Sequence, residues 1–261
     1  MAGEPGVGGG RGVVAYLLWE CGLSRFSIEV SSARSRFAPS SAVRRTTHMR
    51  DGMNQSRDRG NLERNLQRLS RTLHLGTIDS ASSPEKVGAL DPALEDPSRT
   101  RMIAETNVAT ALDFVESQLR QSRVHSDVGS IVVEVNTILT RGIVVAGALY
   151  RTHEPVTGIP YIPASEVPQY AAKTFHIFRH SRALPVPLAA FSIWAIDLRG
   201  HLFSDGCGKT ALIVSSYLLR REGCHVPLIP SRSGYYSGPY GEDGNMSWPK
   251  WLRYYSSLSV N

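Results

Sequence analysis

The sequence predicts a mainly α-helical domain with one small β-hairpin, and three observations lead there. Apolar residues recur at helical spacing through most of the chain from about residue 99 to residue 257. One turn-rich segment, Val144 to Pro163, interrupts that pattern and starts with an extended apolar run. No internal repeat is visible, so neither a solenoid nor a propeller is expected.

Residues 1 to 56 are rich in Gly, Ser and Arg and lack sustained periodicity. They read as a disordered basic extension, or as sequence upstream of the true start. Residues 57 to 98 read as an N-terminal helix and a linker. The helix is expected over 60–75, where Leu62, Leu66, Leu69, Leu73 and Leu75 make one apolar stripe. Residues 77 to 98 hold three Pro with scattered Ser and Asp, which suits a linker. The remaining domain, 99–258, begins with helices over about 99–121 and 127–140. Val144 to Tyr150 is expected to be extended, and the segment to Pro163 to turn back as the hairpin. Further helices are expected at about 166–181, 186–198, 207–222 and 247–257.

At 261 residues and 41% hydrophobic content, the chain can hold one ordinary domain plus an extension. The formal charge is +6. Its basic residues are dispersed and no nucleic-acid motif accompanies them, so a nucleic-acid partner is not expected. Cys21, Cys207 and Cys224 show no paired spacing, which argues against a disulfide framework and fits a reducing cytoplasm. The apolar run Val13 to Trp19 is too short to span a membrane, and no membrane association is expected.

The most informative stretch is His201-Leu-Phe-Ser-Asp-Gly-Cys-Gly-Lys-Thr210, which runs straight into the apolar stretch Ala211 to Leu219. Gly206 and Gly208 leave the backbone open, so N–H groups of Gly206, Cys207 and Gly208 can point at an anion. The following helix adds its positive N-terminal end, and Lys209 a full charge. Asp205 can hold Mg²⁺ against the same phosphates. His201, with an ordinary imidazole near neutral pH, can take a proton from an attacking hydroxyl. A Walker motif is excluded, because its first glycine would fall at Phe203. Cys207, beside Lys209 at a helix start, reads as a loop-building residue rather than a nucleophile.

This segment resembles the signature of the Fic (Fido) family, His-x-Phe-x-(Asp/Glu)-Gly-Asn-Gly-Arg-x-x-Arg. His201, Phe203, Asp205, Gly206 and Gly208 match; Cys207, Lys209 and Leu212 depart from it. The run Thr210-Ala-Leu212 and the helix end Leu219-Arg-Arg-Glu-Gly223 are closer to Doc, the toxin branch of the family. Gly147-Ala-Leu-Tyr-Arg151, Val156-Thr157-Gly158 and Tyr161-Ile-Pro163 are similar to the family's flap, a hairpin that aligns a target peptide by strand addition. From Pro187-Leu-Ala-Ala190 to His201 the register is one residue longer than the family's, and Gly200 stands where Ile is usual. Tyr235-Tyr236 and Trp248-Pro-Lys-Trp251 resemble the closing segment.

The resemblance implies a Fic-type helical bundle with the hairpin as a flap over the active site. It also implies a protein adenylyltransferase that moves AMP from ATP to a Ser, Thr or Tyr hydroxyl of a target protein. His201 would be the base and Asp205 the Mg²⁺ ligand. Gly206, Cys207, Gly208 and Lys209 would hold phosphate, Phe203 would anchor the loop, and Val156, Thr157 and Gly158 would lie in the flap. Ala104-Glu-Thr-Asn-Val-Ala-Thr110 resembles the family's inhibitory helix, with Glu105 as the inhibitory acid. The arginine it pairs with in the family is replaced here by Leu212, and an exposed helical Glu is the competing reading. Two alternatives to AMP transfer stand beside it: a Doc-like kinase passing on the γ-phosphate, and a domain that binds nucleotide or peptide without turnover.

Overall fold

The structure is a computed structural model that describes residues 56–68, 97–121, 127–144, 149–155, 159–181, 183–240 and 244–259. The chain divides into two units, residues 1–56 and 57–261, and the second carries the fold. The expectations for 1–55 and for the linker over 77–96 lie outside the described residues.

Helix α1 covers 56–68. Then follow α2 (Pro97–Arg120), α3 (Val128–Thr140), α4 (Val167–His180), α5 (Pro185–Ile193), α6 (Cys207–Arg221), α7 (Arg232–Ser237) and α8 (Trp248–Leu258). Every helix expected between residues 99 and 257 is present. Leu62 and Leu66 of the α1 stripe are buried, while 69–75 lie outside the described residues. The short helix α7 was not expected. Its Gly-containing sequence is started by Ser231, whose side chain accepts the Gly234 N–H at 3.0 Å.

The core is built around α6. Twelve of its fifteen residues are buried, the pattern of a helix surrounded on all sides rather than lying on a surface. It packs against α5, α3 and α2. Arg220 near its end pairs with Glu116 of α2 through two bonds, at 2.5 and 3.0 Å. Ser215 meets the Tyr255 hydroxyl of α8 at 2.6 Å, and Trp251 of α8 donates to the Ala190 carbonyl of α5 at 2.9 Å. Asp127 caps α3 by accepting from Gly129. The same carboxylate binds Arg179 of α4 at 2.8 Å, and that hydrogen bond holds it below the usual carboxylate range.

Two expectations change. The helix expected over 186–198 is α-helical only to Ile193 and closes with a π turn, Trp194–Leu198. The Arg199 N–H reaches back five residues to the Trp194 carbonyl at 2.8 Å. A π turn takes in one extra residue compared with an α turn. The described residues also contain no strand, only isolated bridges, so the hairpin is not seen. Residues 145–148 and 156–158 lie outside the described residues, and with them the flap candidates Val156, Thr157 and Gly158. The part of that segment that is described does not pair with itself. Tyr150 bridges antiparallel to Phe203. Among the described residues no helix is long and apolar enough to cross a membrane.

Candidate active site

The loop from Gly200 to Gly206 is held from both sides. On one side, Arg151 donates its N–H to the Leu202 carbonyl at 3.1 Å, and Ser204 donates to the Leu149 carbonyl at 3.0 Å. Phe203 is fully buried and stacks on Tyr150 with ring centres 5.8 Å apart. The buried Arg151 guanidinium then donates to the carbonyls of His201 (2.6 Å), Gly200 (3.4 Å) and Ile162. On the other side, Asn136 of α3 donates to the Asp205 carbonyl at 2.9 Å and to the Thr210 hydroxyl at 3.0 Å. Because all of these bonds except the one to Thr210 go to backbone, they fix the loop's path largely independent of its side chains.

Two glycines are needed by geometry. Gly206 starts α6 with φ 75°, a left-handed conformation that glycine adopts without cost. At Gly200 a Cβ would sit 1.7 Å from the Ala195 carbonyl oxygen, so only hydrogen fits where the chain leaves the π turn. His201 follows with φ 43°, a conformation that costs a non-glycine residue roughly 1–2 kcal/mol. That strain is held by the loop around it.

Among the described residues no side chain caps the first turn of α6, so its opening N–H groups lie at the positive end of the helix dipole without a side-chain acceptor. Lys209 is half-buried on that turn. The Asp205 carboxylate accepts from the Gly206 N–H at 2.7 Å and is half-exposed, with one oxygen uncommitted. The structure thus brings Asp205, Gly206, Cys207, Gly208 and Lys209 together at one helix start.

The His201 ring lies against a cluster that sequence reading missed. Its Nδ1 is 3.6 Å from the carboxylate of Asp197, which is buried in the π turn and accepts from the Tyr235 hydroxyl at 2.7 Å. Cys207 is buried beside it, its sulfur accepting from the Phe203 N–H at 3.2 Å. Tyr161 covers the ring, centroid to centroid 4.5 Å. These surroundings overturn the expectation that His201 titrates near neutral pH. Burial opposes its charge, but negative charge at Cys207 and Asp197 outweighs burial, and the imidazole is pushed up to about 10. The only legible signal for Asp197 was its position four residues before His201 in a helical stretch.

Glu105 is not brought into this cluster by any bond. It stands 67% exposed on α2, paired with Arg101 at 2.9 Å, and Leu212, the matching arginine position, is buried core. The assembled site sets a helix start, a half-exposed carboxylate at Asp205 and a histidine beside the buried acid Asp197 next to one another.

No protein-family model matches the chain, and no curated protein matches it. Among solved structures it is similar to a Fic-domain-containing signaling protein from Bacteroides thetaiotaomicron, at 20% identity over 60% of this chain and 67% of that one, with a TM-score of 0.47. It is also similar to Fic-1 from C. elegans, at 17% identity over 85% of this chain and 64% of that one, with a TM-score of 0.49. A Fic family protein from Desulfovibrio desulfuricans shares 15% identity over 87% of this chain and 69% of that one, with a TM-score of 0.41. The chain spans about two thirds of the length of each.

Proposed function

We propose that the chain is a Fic-type transferase that moves AMP from ATP to a hydroxyl side chain of a target protein. The observation that carries this reading is the uncapped start of α6, with Gly206 left-handed, flanked by Asp205 and Lys209 and facing a histidine oriented by Asp197. In this reading the unprotonated form of His201 takes the proton of the target hydroxyl, so transfer speeds up as pH rises toward the raised value of that imidazole. The hydroxyl oxygen bonds to the α-phosphorus, the bond from that phosphorus to the bridging oxygen breaks, and pyrophosphate leaves. Nδ1 of His201 is buried toward Asp197, so Nε2 is the nitrogen available for the proton. Lys209 and the N–H groups of the first turn stabilise charge growing on the phosphates.

The free oxygen of Asp205 fits Mg²⁺, a hard cation that needs only one or two carboxylates beside phosphate oxygens. Bound there, Mg²⁺ would neutralise phosphate charge. A Doc-like kinase remains the second reading, because a buried Leu212 stands where the signature has its second arginine. Incubating the chain with a lysate and ATP labelled at either the α- or the γ-phosphorus separates the two. Label retained from the α-position supports AMP transfer, and label retained only from the γ-position supports the kinase. His201→Ala abolishes either signal; full labelling by that variant would falsify both.

A further inference from the structure

We propose that Asp197, His201 and Cys207 form a binding site for a soft divalent cation of the zinc class. They come from the π turn, the loop and the first residue of α6. Each offers one donor atom, and the three donor atoms lie within 4.8 Å of one another. A carboxylate oxygen, an imidazole nitrogen and a sulfur make the mixed set that a borderline-soft ion takes and that Mg²⁺ does not. Tetrahedral bonds of about 2.0–2.3 Å space ligand atoms roughly 3.3–3.8 Å apart. Asp197 Oδ1 and His201 Nδ1 already stand 3.6 Å apart. That separation is long for a hydrogen bond and right for two ligands of one ion. Consistently, His201 Nδ1 is a buried nitrogen with no hydrogen-bond partner.

The neighbours orient the donors as supporting groups do around bound metals. The Tyr235 hydroxyl holds the other oxygen of Asp197 at 2.7 Å, which turns Oδ1 toward the ring. The Phe203 N–H donates to the Cys207 sulfur at 3.2 Å, and the thiol donates back to the Phe203 carbonyl at 3.4 Å, which holds the sulfur in place beside the ring. Three protein ligands leave a fourth position for water or another ligand. Binding sends the Cys207 thiol proton and any proton on His201 Nδ1 to solvent. An ion on Nδ1 also leaves Nε2 carrying hydrogen, so His201 cannot then accept one. Zinc would therefore silence the transferase; this consequence rests on the proposed function, and the binding itself does not.

Cobalt(II) and zinc titrations of the metal-stripped full chain, without nucleotide, test the site. The expected result is one cobalt per chain with tetrahedral visible bands and a thiolate-to-cobalt charge-transfer band. Cys207→Ser removes that band and weakens zinc in a chelator competition by at least about tenfold. His201→Asn, chosen because Asn tolerates the left-handed backbone, weakens zinc similarly and serves where the serine variant does not fold. A variant lacking Cys21 and Cys224 keeps the band. No charge-transfer band in the wild type, a band that survives Cys207→Ser, or undiminished zinc affinity in His201→Asn overturns the proposal.

Discussion

At the residue scale, His201 concentrates the most chemistry. It combines a strained backbone, a buried acid neighbour and a thiol within reach of its ring. An imidazole pushed up to about 10 is held mostly protonated at neutral pH, so the base form that the transfer needs grows as pH rises. Its folded value lies above the ordinary 6.5, so the stability it contributes is full below about pH 6.5 and is lost as pH rises through about 10. In protein kept metal-free with EDTA, the His201 ring proton followed by NMR should titrate near 10; a midpoint near 6.5 would mean that Asp197 and Cys207 do not hold the charge. Gly200→Ala makes the opposite kind of demand. Its Cβ would enter the Ala195 carbonyl, which forces the backbone to move. A drop in melting temperature of several degrees is expected, together with loss of activity, because the π turn also carries Asp197. An unchanged melt would show that the turn relaxes freely.

At the scale of elements, the informative contrast lies along α2. Glu116, partly buried, pairs with Arg220 of α6, whose side chain is 7% exposed, whereas Glu105 faces solvent beside Arg101. Glu116→Ala leaves Arg220 without its partner and should cost about 3–5 kcal/mol in chemical denaturation; a loss under 1 kcal/mol would mean that water replaces the carboxylate easily. Glu105→Gly should cost only about 1 kcal/mol, the intrinsic penalty of glycine in a helix. It should also leave the initial labelling rate unchanged at fixed ATP. A clear rise in that rate would revive Glu105 as an inhibitory acid. The π turn matters at the same scale. By absorbing one residue after α5, it sets the side chain of Asp197 against the loop instead of against the core helices.

At the scale of the whole molecule, α1 is joined to the domain through backbone far along the chain. Asp58 accepts from the Val226 N–H, Asn61 donates to the Val226 carbonyl, and Asn65 both donates to the Pro227 carbonyl and accepts from the Ile229 N–H. The extended segment after α6 finds in these side chains the partners that a neighbouring strand would supply. Asn65→Ala strips two of these bonds in a buried place and is expected to cost about 1–3 kcal/mol. Equal stability of wild type and variant would show that α1 is dispensable to the fold.

The sequence by itself determined the helical architecture and the loop. Apolar spacing marks α2 to α6 and α8, and the run from His201 to Lys209 is legible because glycine, acid and base fall within nine residues. Turn and helix signals act over a few residues, so a short window contains them. The tertiary structure alone decided the rest. Arg151 clamps the loop across fifty positions, and Asn136 reaches Asp205 across sixty-nine. Glu105, set apart by a motif, turns to solvent, and Cys207 turns inward to meet His201 and Asp197. The charge of His201 depends on those neighbours and on burial, and neither burial nor a neighbour brought by packing is written in local spacing.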